Sequence, residues 1–216
     1  MADAKISAAG GRARAYHHGE LRQALIAAAD AILSESGVAG FSLRDAARRA
    51  GVSPGAPAHH FGNASGLLTE VAVLGYADLK GYLDRARQDG TPSERLRALA
   101  TQYVLFALEQ RGRFGLMFRK DLINRADEGY RTASEVALMR FAGAAGARAG
   151  VSVAEMQARG DFSAVIAAWA TAHGIAHLAL EEKLQSLLDP ADPQRDFVER
   201  LLPDIVRAQW PDAGDR

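Results

Sequence analysis

The chain has 216 residues, 48% of them apolar and 24% charged, with 26 Lys and Arg balanced by 26 Asp and Glu and no cysteine. That length supports one or two domains with a sizeable core. The missing cysteines exclude a disulfide framework, a thiolate zinc site and a cysteine nucleophile, and they fit a reducing, cytoplasmic setting.

Residues 1–11 are small and polar, without the continuous apolar run of a secretory signal, and residues 1–16 are expected to form a flexible basic arm carrying Arg12 and Arg14. Residues 1–66 hold seven Lys and Arg against five Asp and Glu, a slight positive excess at the amino-terminal end. Apolar residues recur at helical spacing and no stretch alternates with period two, so the fold is predicted to be all-α. A first helix over 19–36 places Leu21, Leu25, Ala28 and Ile32 on one stripe and stops at Gly37. Ser42 caps a short helix to residue 50, with Asp45 in the capping-box position and Gly51 as its stop. Ser53 as cap and Pro54 as first residue open a third helix to about residue 60.

A long helix over 65–89 carries Leu68, Val71, Leu79, Tyr82 and Ala86 on one face and closes at Gly90. Thr91, Pro92 and Glu94 supply a cap, a first-turn proline and a capping box for a helix reaching about residue 110. Helices follow over 113–123 and 127–149, the second closed by Gly150, and over 152–159, with Glu155 completing the cap. The most apolar segment, 163–180, contains Thr171, His173 and His177 and is bounded by Asp161 and Glu181, so the helix predicted over 161–187 reads as a buried soluble helix rather than a membrane span. A last helix over 194–210 contains Pro203, which is expected to kink or split it, since an interior proline costs about 3 kcal/mol.

The two short helices joined at Ala50-Gly51-Val52-Ser53 have helix-turn-helix proportions, because a left-handed glycine reverses the chain and a serine restarts it. Ala46, Ala47 and Ala50 allow close packing, while Phe41, Leu43, Val52, Phe61 and Ile32 fill a small core. Together with Tyr16-His17-His18-Gly19-Glu20-Leu21-Arg22, the runs Phe41 to Ala47, Arg49 to Ala56 and His59-His60-Phe61 resemble the amino-terminal pattern of the TetR family of transcriptional regulators. Trp169 with His173-Gly174 is similar to the Trp-His-Gly signature of one of its subgroups. The resemblance implies a three-helix DNA-binding bundle over 17–64 and a larger helical ligand-binding and dimerisation domain over 65–216. It implies a homodimer that binds a two-fold operator in double-stranded DNA and leaves it when a small-molecule effector enters the second domain, most simply as a repressor.

A recognition helix presents free backbone N–H groups and a positive dipole end to phosphate. Ser42, Arg44, Ser53, His59 and His60 are the polar groups placed to meet the duplex, with Pro54, Gly55 and Ala56 at the front of that helix and Arg12 and Arg14 on the arm. The sequence departs from the family pattern at Ala58 and Ala64, where an aromatic residue and a lysine are usual, which predicts weak or strongly salt-dependent binding carried largely by Arg44, His59 and the arm.

Phe106, Phe114, Met117, Phe118, Phe141, Trp169 and His173 are the candidate ligand-binding residues, because an effector pocket is an apolar hole with a few polar groups. Leu178, Leu184, Phe197, Leu201 and Ile205 are the candidate dimer interface. His173 and His177 have the spacing of a metal pair, but no His-Glu-x-x-His motif or third ligand accompanies them, so they read as pocket or interface histidines and no metal or cofactor is expected. An enzyme built on His173, His177, Asp121 and Glu181 lacks a nucleophile elbow or a phosphate loop. The alternative is a ligand-binding or scaffold dimer whose DNA contacts have degenerated at Ala58 and Ala64.

Overall fold

The computed structural model describes residues 7–212, with side chains from residue 19 onward, and all regular structure among these residues is helical. Helix α1 spans Ser7–Ser36 and begins well before residue 19. Its extension runs through Ser7 to Ala15, which is alanine-rich and has no proline or β-branched residue to oppose a helix. Most of the expected arm therefore continues α1, while residues 1–6 and the side chains of Arg12 and Arg14 lie outside the described residues.

Helix α2 spans Leu43–Arg49 and is capped by Ser42, whose Oγ accepts the Asp45 amide at 3.1 Å and donates to the Asp45 carboxylate at 2.6 Å. Gly51 has φ 69°, the left-handed geometry the reversal requires, and the Val52 amide returns to the Ala47 carbonyl at 3.0 Å. Helix α3 spans Ala56–Phe61 and starts later than a Ser53 cap predicts. Ser53-Pro54-Gly55 instead makes a turn closed by the Ala56 amide on the Ser53 carbonyl at 3.0 Å, because proline followed by glycine favours a turn over a helix start. Asn63 caps α4 (Ala64–Arg85) by accepting the Gly66 amide at 3.0 Å.

Helix α5 (Pro92–Glu109) carries the full Thr91–Glu94 capping box, and α8 (Val153–Arg159) carries the equivalent Ser152–Glu155 box. Between them lie α6 (Arg111–Met117) and α7 (Glu128–Ala149). Helix α6 is shorter than the predicted 113–123, since the chain turns after Phe118 and Arg119 clamps Asp121 through two bonds of 2.9 and 2.7 Å. Helix α9 (Ser163–Leu180) ends before residue 187, where Glu182 takes φ 56°. The predicted disruption at Pro203 takes the form of a short α10 (Pro193–Asp196), a π-helical turn at Phe197–Leu201 and α11 (Leu202–Gln209). The wider turn ahead of Pro203 removes the bond that proline cannot make from a regular ladder.

Helices α2 and α3 pack on α1 and the start of α4, while α5 lies in the centre against α4, α7 and α9. One apolar core runs from Leu25, Ile32, Ala46 and Leu67 through Val71 to Tyr103, Phe106, Phe114 and Phe141. Helix α6 bridges α1 and α4. Arg97 fastens the carboxyl-terminal end to α5, donating to the Trp210 carbonyl at 2.6 Å and to Asp212 at 2.8 Å.

Candidate nucleic-acid interface and ligand cavity

On the helix-turn-helix surface Arg44, Ser53, Pro54, Gly55 and His59 are exposed, while Ala56 and His60 are half-buried. Ser42, expected as a duplex contact, is half-buried and also caps α2. Its hydroxyl proton is directed to Asp45 and one lone pair takes the Asp45 amide, so the side chain serves the α2 cap. The same bond from Ser42, with the adjacent Arg48, holds the Asp45 carboxyl below the ordinary aspartate range.

Three nearby arginines are committed: Arg48 pairs with Asp45 at 3.0 Å, Arg49 clamps Glu35 at 2.6 and 2.8 Å, and Arg22 pairs with Glu70 while lying 5.2 Å over the Phe61 ring. Arg44 makes no ion pair among the described residues, which leaves its charge available to phosphate. The His59 and His60 rings stack with centroids 5.5 Å apart. Ala58, one departure from the family pattern, is exposed on the same helix, and Ala64, the other, is half-buried in the first turn of α4.

A cavity of about 540 Å³ opens between α4, α5, α7, α9 and the segment joining α6 to α7. Of the predicted ligand residues, Phe118, Phe141 and Trp169 line it. Phe106, Phe114 and Met117 do not, because each is buried in the core behind the wall. His173 stands in a second layer, joined to the wall through Tyr103. The sequence reading missed Tyr76, Tyr103 and Tyr130, together with Lys120, Arg125 and Arg131 on the same lining. Helical spacing marks such tyrosines as inward-facing, which serves equally for core and for cavity.

The polar chain in this wall starts from a fixed donor. The Trp169 indole can only donate, and it does so to the Tyr103 oxygen at 3.2 Å. Tyr103 Oη and His173 Nδ1 lie 2.8 Å apart, a hydrogen bond in which the phenol donates to the imidazole tautomer that carries its proton on Nε2. Burial, reinforced by the charge of His177, pushes His173 down to about 4, and burial pushes the Tyr103 phenol up. The His173 and His177 rings meet edge to face at 4.6 Å.

An unfolded histidine takes up its proton near pH 6.5, whereas folded His173 resists until about pH 4. Stability therefore falls as pH drops through that interval and levels off below it, by about 2 kcal/mol after allowing for partial exposure. His173→Asn is expected to flatten this part of the melting-temperature profile; an unchanged pH dependence would contradict the assignment.

Helix α9 was expected to be buried, but its inward face alone packs on α5 and α7. Ile166 is 59% exposed and Leu178 47% exposed, on an arc shared with exposed Ala167, Ala170, Gly174 and His177. Ser163–Leu180 is long and apolar enough to cross a membrane by length and composition, with mean hydropathy 1.3, yet its buried side is committed to this core. Leu184, Leu201 and Ile205 of the expected dimer interface are half-buried. Phe197 is 3% exposed inside the protomer and is not available to a partner, because the π-helical turn directs it inward.

The sequence model described as "Bacterial regulatory proteins, tetR family" matches residues 25–71, and the one described as "Tetracyclin repressor-like, C-terminal domain" matches 96–205. No curated protein matches the chain. A solved structure from Rhodococcus sp. RHA1, of a protein with unknown function, is 33% identical over 91% of this chain and 98% of its own, with TM-score 0.65. A tetR-family bacterial regulatory protein from Rhodococcus RHA1 shares the fold at 19% identity and TM-score 0.58, covering 87% of this chain and 95% of its own. The structure of AibR in complex with isovaleryl coenzyme A and operator DNA shares it at 16% identity and TM-score 0.57, covering 88% of this chain and 98% of its own. With a capped helix-turn-helix at one end, a cavity in the helical domain at the other and both matched segments, the chain belongs to the TetR family: a non-enzymatic, DNA-binding and ligand-responsive transcriptional regulator.

Proposed function

We propose that this regulator is a cytoplasmic repressor that binds a palindromic operator as a homodimer and releases it when a small hydrophobic or amphipathic effector enters the cavity. The division of labour follows the domain reading from residue 17 onward: a DNA-binding domain over 17–64, whose α1 extends back to Ser7, and an effector-binding and dimerisation domain over 65–216. The observation that carries the proposal is the double duty of α4. Its Leu67, Leu68 and Val71 complete the core under the helix-turn-helix, while Tyr76 and Leu79, farther along the same helix, line the cavity.

Two recognition helices must sit about 34 to 36 Å apart to enter successive major grooves. An effector that favours a displaced α4 changes that separation, and a coupling of about 1 to 3 kcal/mol lowers operator affinity roughly five- to 150-fold. That AibR holds isovaleryl coenzyme A and operator DNA together supports a scaffold of this kind carrying both ligands.

The test is fluorescence-anisotropy titration against a randomised duplex pool at two salt concentrations, with sequencing of the bound fraction. A palindrome should be enriched and affinity should fall steeply with salt. Arg44→Ala is expected to reduce the salt slope by about 0.9, the contribution of one phosphate contact. An unchanged slope removes Arg44 from the interface. The absence of any enriched, salt-sensitive sequence would favour the second reading, a ligand-binding dimer with degenerate DNA contacts, which exposed Ala58 and the alanine at position 64 support.

A further inference from the structure

Three basic side chains lie on the lining of the cavity. Many exposed cations of the described chain are paired with a carboxylate, as in Lys80–Asp84, Arg87–Asp89, Arg119–Asp121 and Arg200–Asp196. Lys120, Arg125 and Arg131 all line the cavity, and none of them makes an ion pair among the described residues. Arg131 and Glu135 stand four residues apart on α7, at the spacing where helix pairs form, yet they do not bond. Three uncommitted cations thus face one carboxylate around an otherwise apolar, aromatic chamber.

A donor lies deeper in the same wall. The Tyr76 side chain belongs to a residue only 7% exposed, and its hydroxyl has a single partner, Tyr130 Oη, at the long distance of 3.5 Å. Tyr130 has already directed its own proton to the Met117 carbonyl at 3.0 Å. The proton of Tyr76 is therefore held by nothing stronger than that long contact. Burial pushes the Tyr76 phenol up, while the charge of Arg125 acts on it in the opposite sense, which places the guanidinium within electrostatic reach of this hydroxyl.

From this arrangement, and resting on the reading of the cavity as the effector site, we infer that the effector is an amphipathic carboxylate. Its apolar body lies against Phe118, Phe141 and Trp169, and its carboxylate is held by Arg125 and the Tyr76 hydroxyl, with Lys120 and Arg131 completing the positive rim. A guanidinium and a hydroxyl supply the donors a planar two-oxygen head requires. A cavity of about 540 Å³ lies within the roughly 300–1,000 Å³ typical of small-molecule sites. A neutral effector would fill the same apolar space but give Arg125 and the Tyr76 hydroxyl no acceptor, leaving Glu135 and water as the counterweight to the three exposed cations.

The experiment uses the full chain and a neutral fluorescent occupant, N-phenyl-1-naphthylamine, displaced by matched pairs: decanoate against decan-1-ol, and 2-naphthylacetate against 2-naphthylacetamide. Each carboxylate should displace the dye at a concentration about tenfold lower than its neutral partner, as a charge-assisted hydrogen bond predicts. Arg125→Gln and Tyr76→Phe should each reduce that preference severalfold, read as the ratio within each matched pair so that any change in dye affinity cancels. Arg159→Gln, which removes an exposed cation on α8, should leave the preference intact.

Equal displacement within the pairs, or a preference that survives Arg125→Gln, overturns the carboxylate assignment and leaves an effector cavity selective only for apolar ligands. Decyl phosphate displacing more tightly than decanoate assigns the head to phosphate and also overturns it. Failure of the dye itself to bind overturns the cavity reading, and the carboxylate with it.

Discussion

Ile166→Arg is expected to give a protein that sediments as a monomer at micromolar concentration and binds the operator at least about a hundredfold more weakly than wild type. Ile166 is 59% exposed in the protomer, so the arginine head reaches water there and the helix itself tolerates the change. In a two-fold seam built on α9 the same head would be buried against a small-residue surface of Ala167, Ala170 and Gly174 without a partner charge. Separating the protomers turns one bidentate engagement of a palindrome into two independent half-site events, and the lost effective concentration is worth about 10² to 10⁴ in affinity. Leu178→Arg, on the same exposed arc, should act in the same direction. Retained helicity with a dimeric mass and unchanged operator affinity would place the dimer contact on another face.

What the sequence made legible is the local chemistry that fixes ends and turns. Ser42, Thr91 with Glu94, and Ser152 with Glu155 cap the helices they were expected to cap, because a side-chain oxygen three residues ahead of a free amide is a local arrangement. The α3 start was misread because Ser53-Pro54 has the composition of a helix opening, and only the packing of Pro57 inward, with Gly55 leading in, selects Ala56 as the first helical residue. The end of α9 at Leu180 was hidden because the apolar spacing continues to Leu184, while the backbone departs at Glu182.

The cavity was legible only in part. Trp169, Phe118 and Phe141 follow from aromatic spacing, but the same rule selected Phe106 and Phe114, which fill space instead of bounding it. Periodicity identifies the face a residue takes, not whether the opposing helix leaves a gap. The gap depends on how α4, α5, α7 and α9 diverge, and on the turn after Phe118 that carries Lys120 and Arg125 to its edge.

A second structural link between the cavity wall and α1 runs through α6, and the sharpest expectation there concerns Gly112. A Cβ at this position would stand 2.6 Å from the carbonyl carbon and oxygen of Leu33 and 2.8 Å from the Ser34 nitrogen. All three are backbone atoms of α1, so no side-chain rotation relieves the clash, and Gly112→Ala must lift α6 away from α1. That displacement strains the clamp made by the next residue, in which Arg113 holds Asp30 of α1 at 2.7 and 2.6 Å and also pairs with Asp78 of α4.

Overpacking together with weakened, partly buried ion pairs should cost about 3 kcal/mol, lowering the melting temperature by roughly 6 to 12 °C in a chain of this size. Arg113→Gln leaves the backbone contact intact and should cost less, about 2 kcal/mol, because the pairs keep some solvent. Its larger effect belongs to coupling. The Met117 carbonyl at the end of α6 receives the Tyr130 hydroxyl, and Phe118 after it lines the cavity, so α6 joins the effector wall to α1 through Arg113. In Arg113→Gln the effector should still bind while the loss of operator affinity it produces shrinks severalfold. A full effector response in this variant would leave α4 alone as the carrier of the signal, and a Gly112→Ala protein melting within a degree of wild type would refute the close α1–α6 contact.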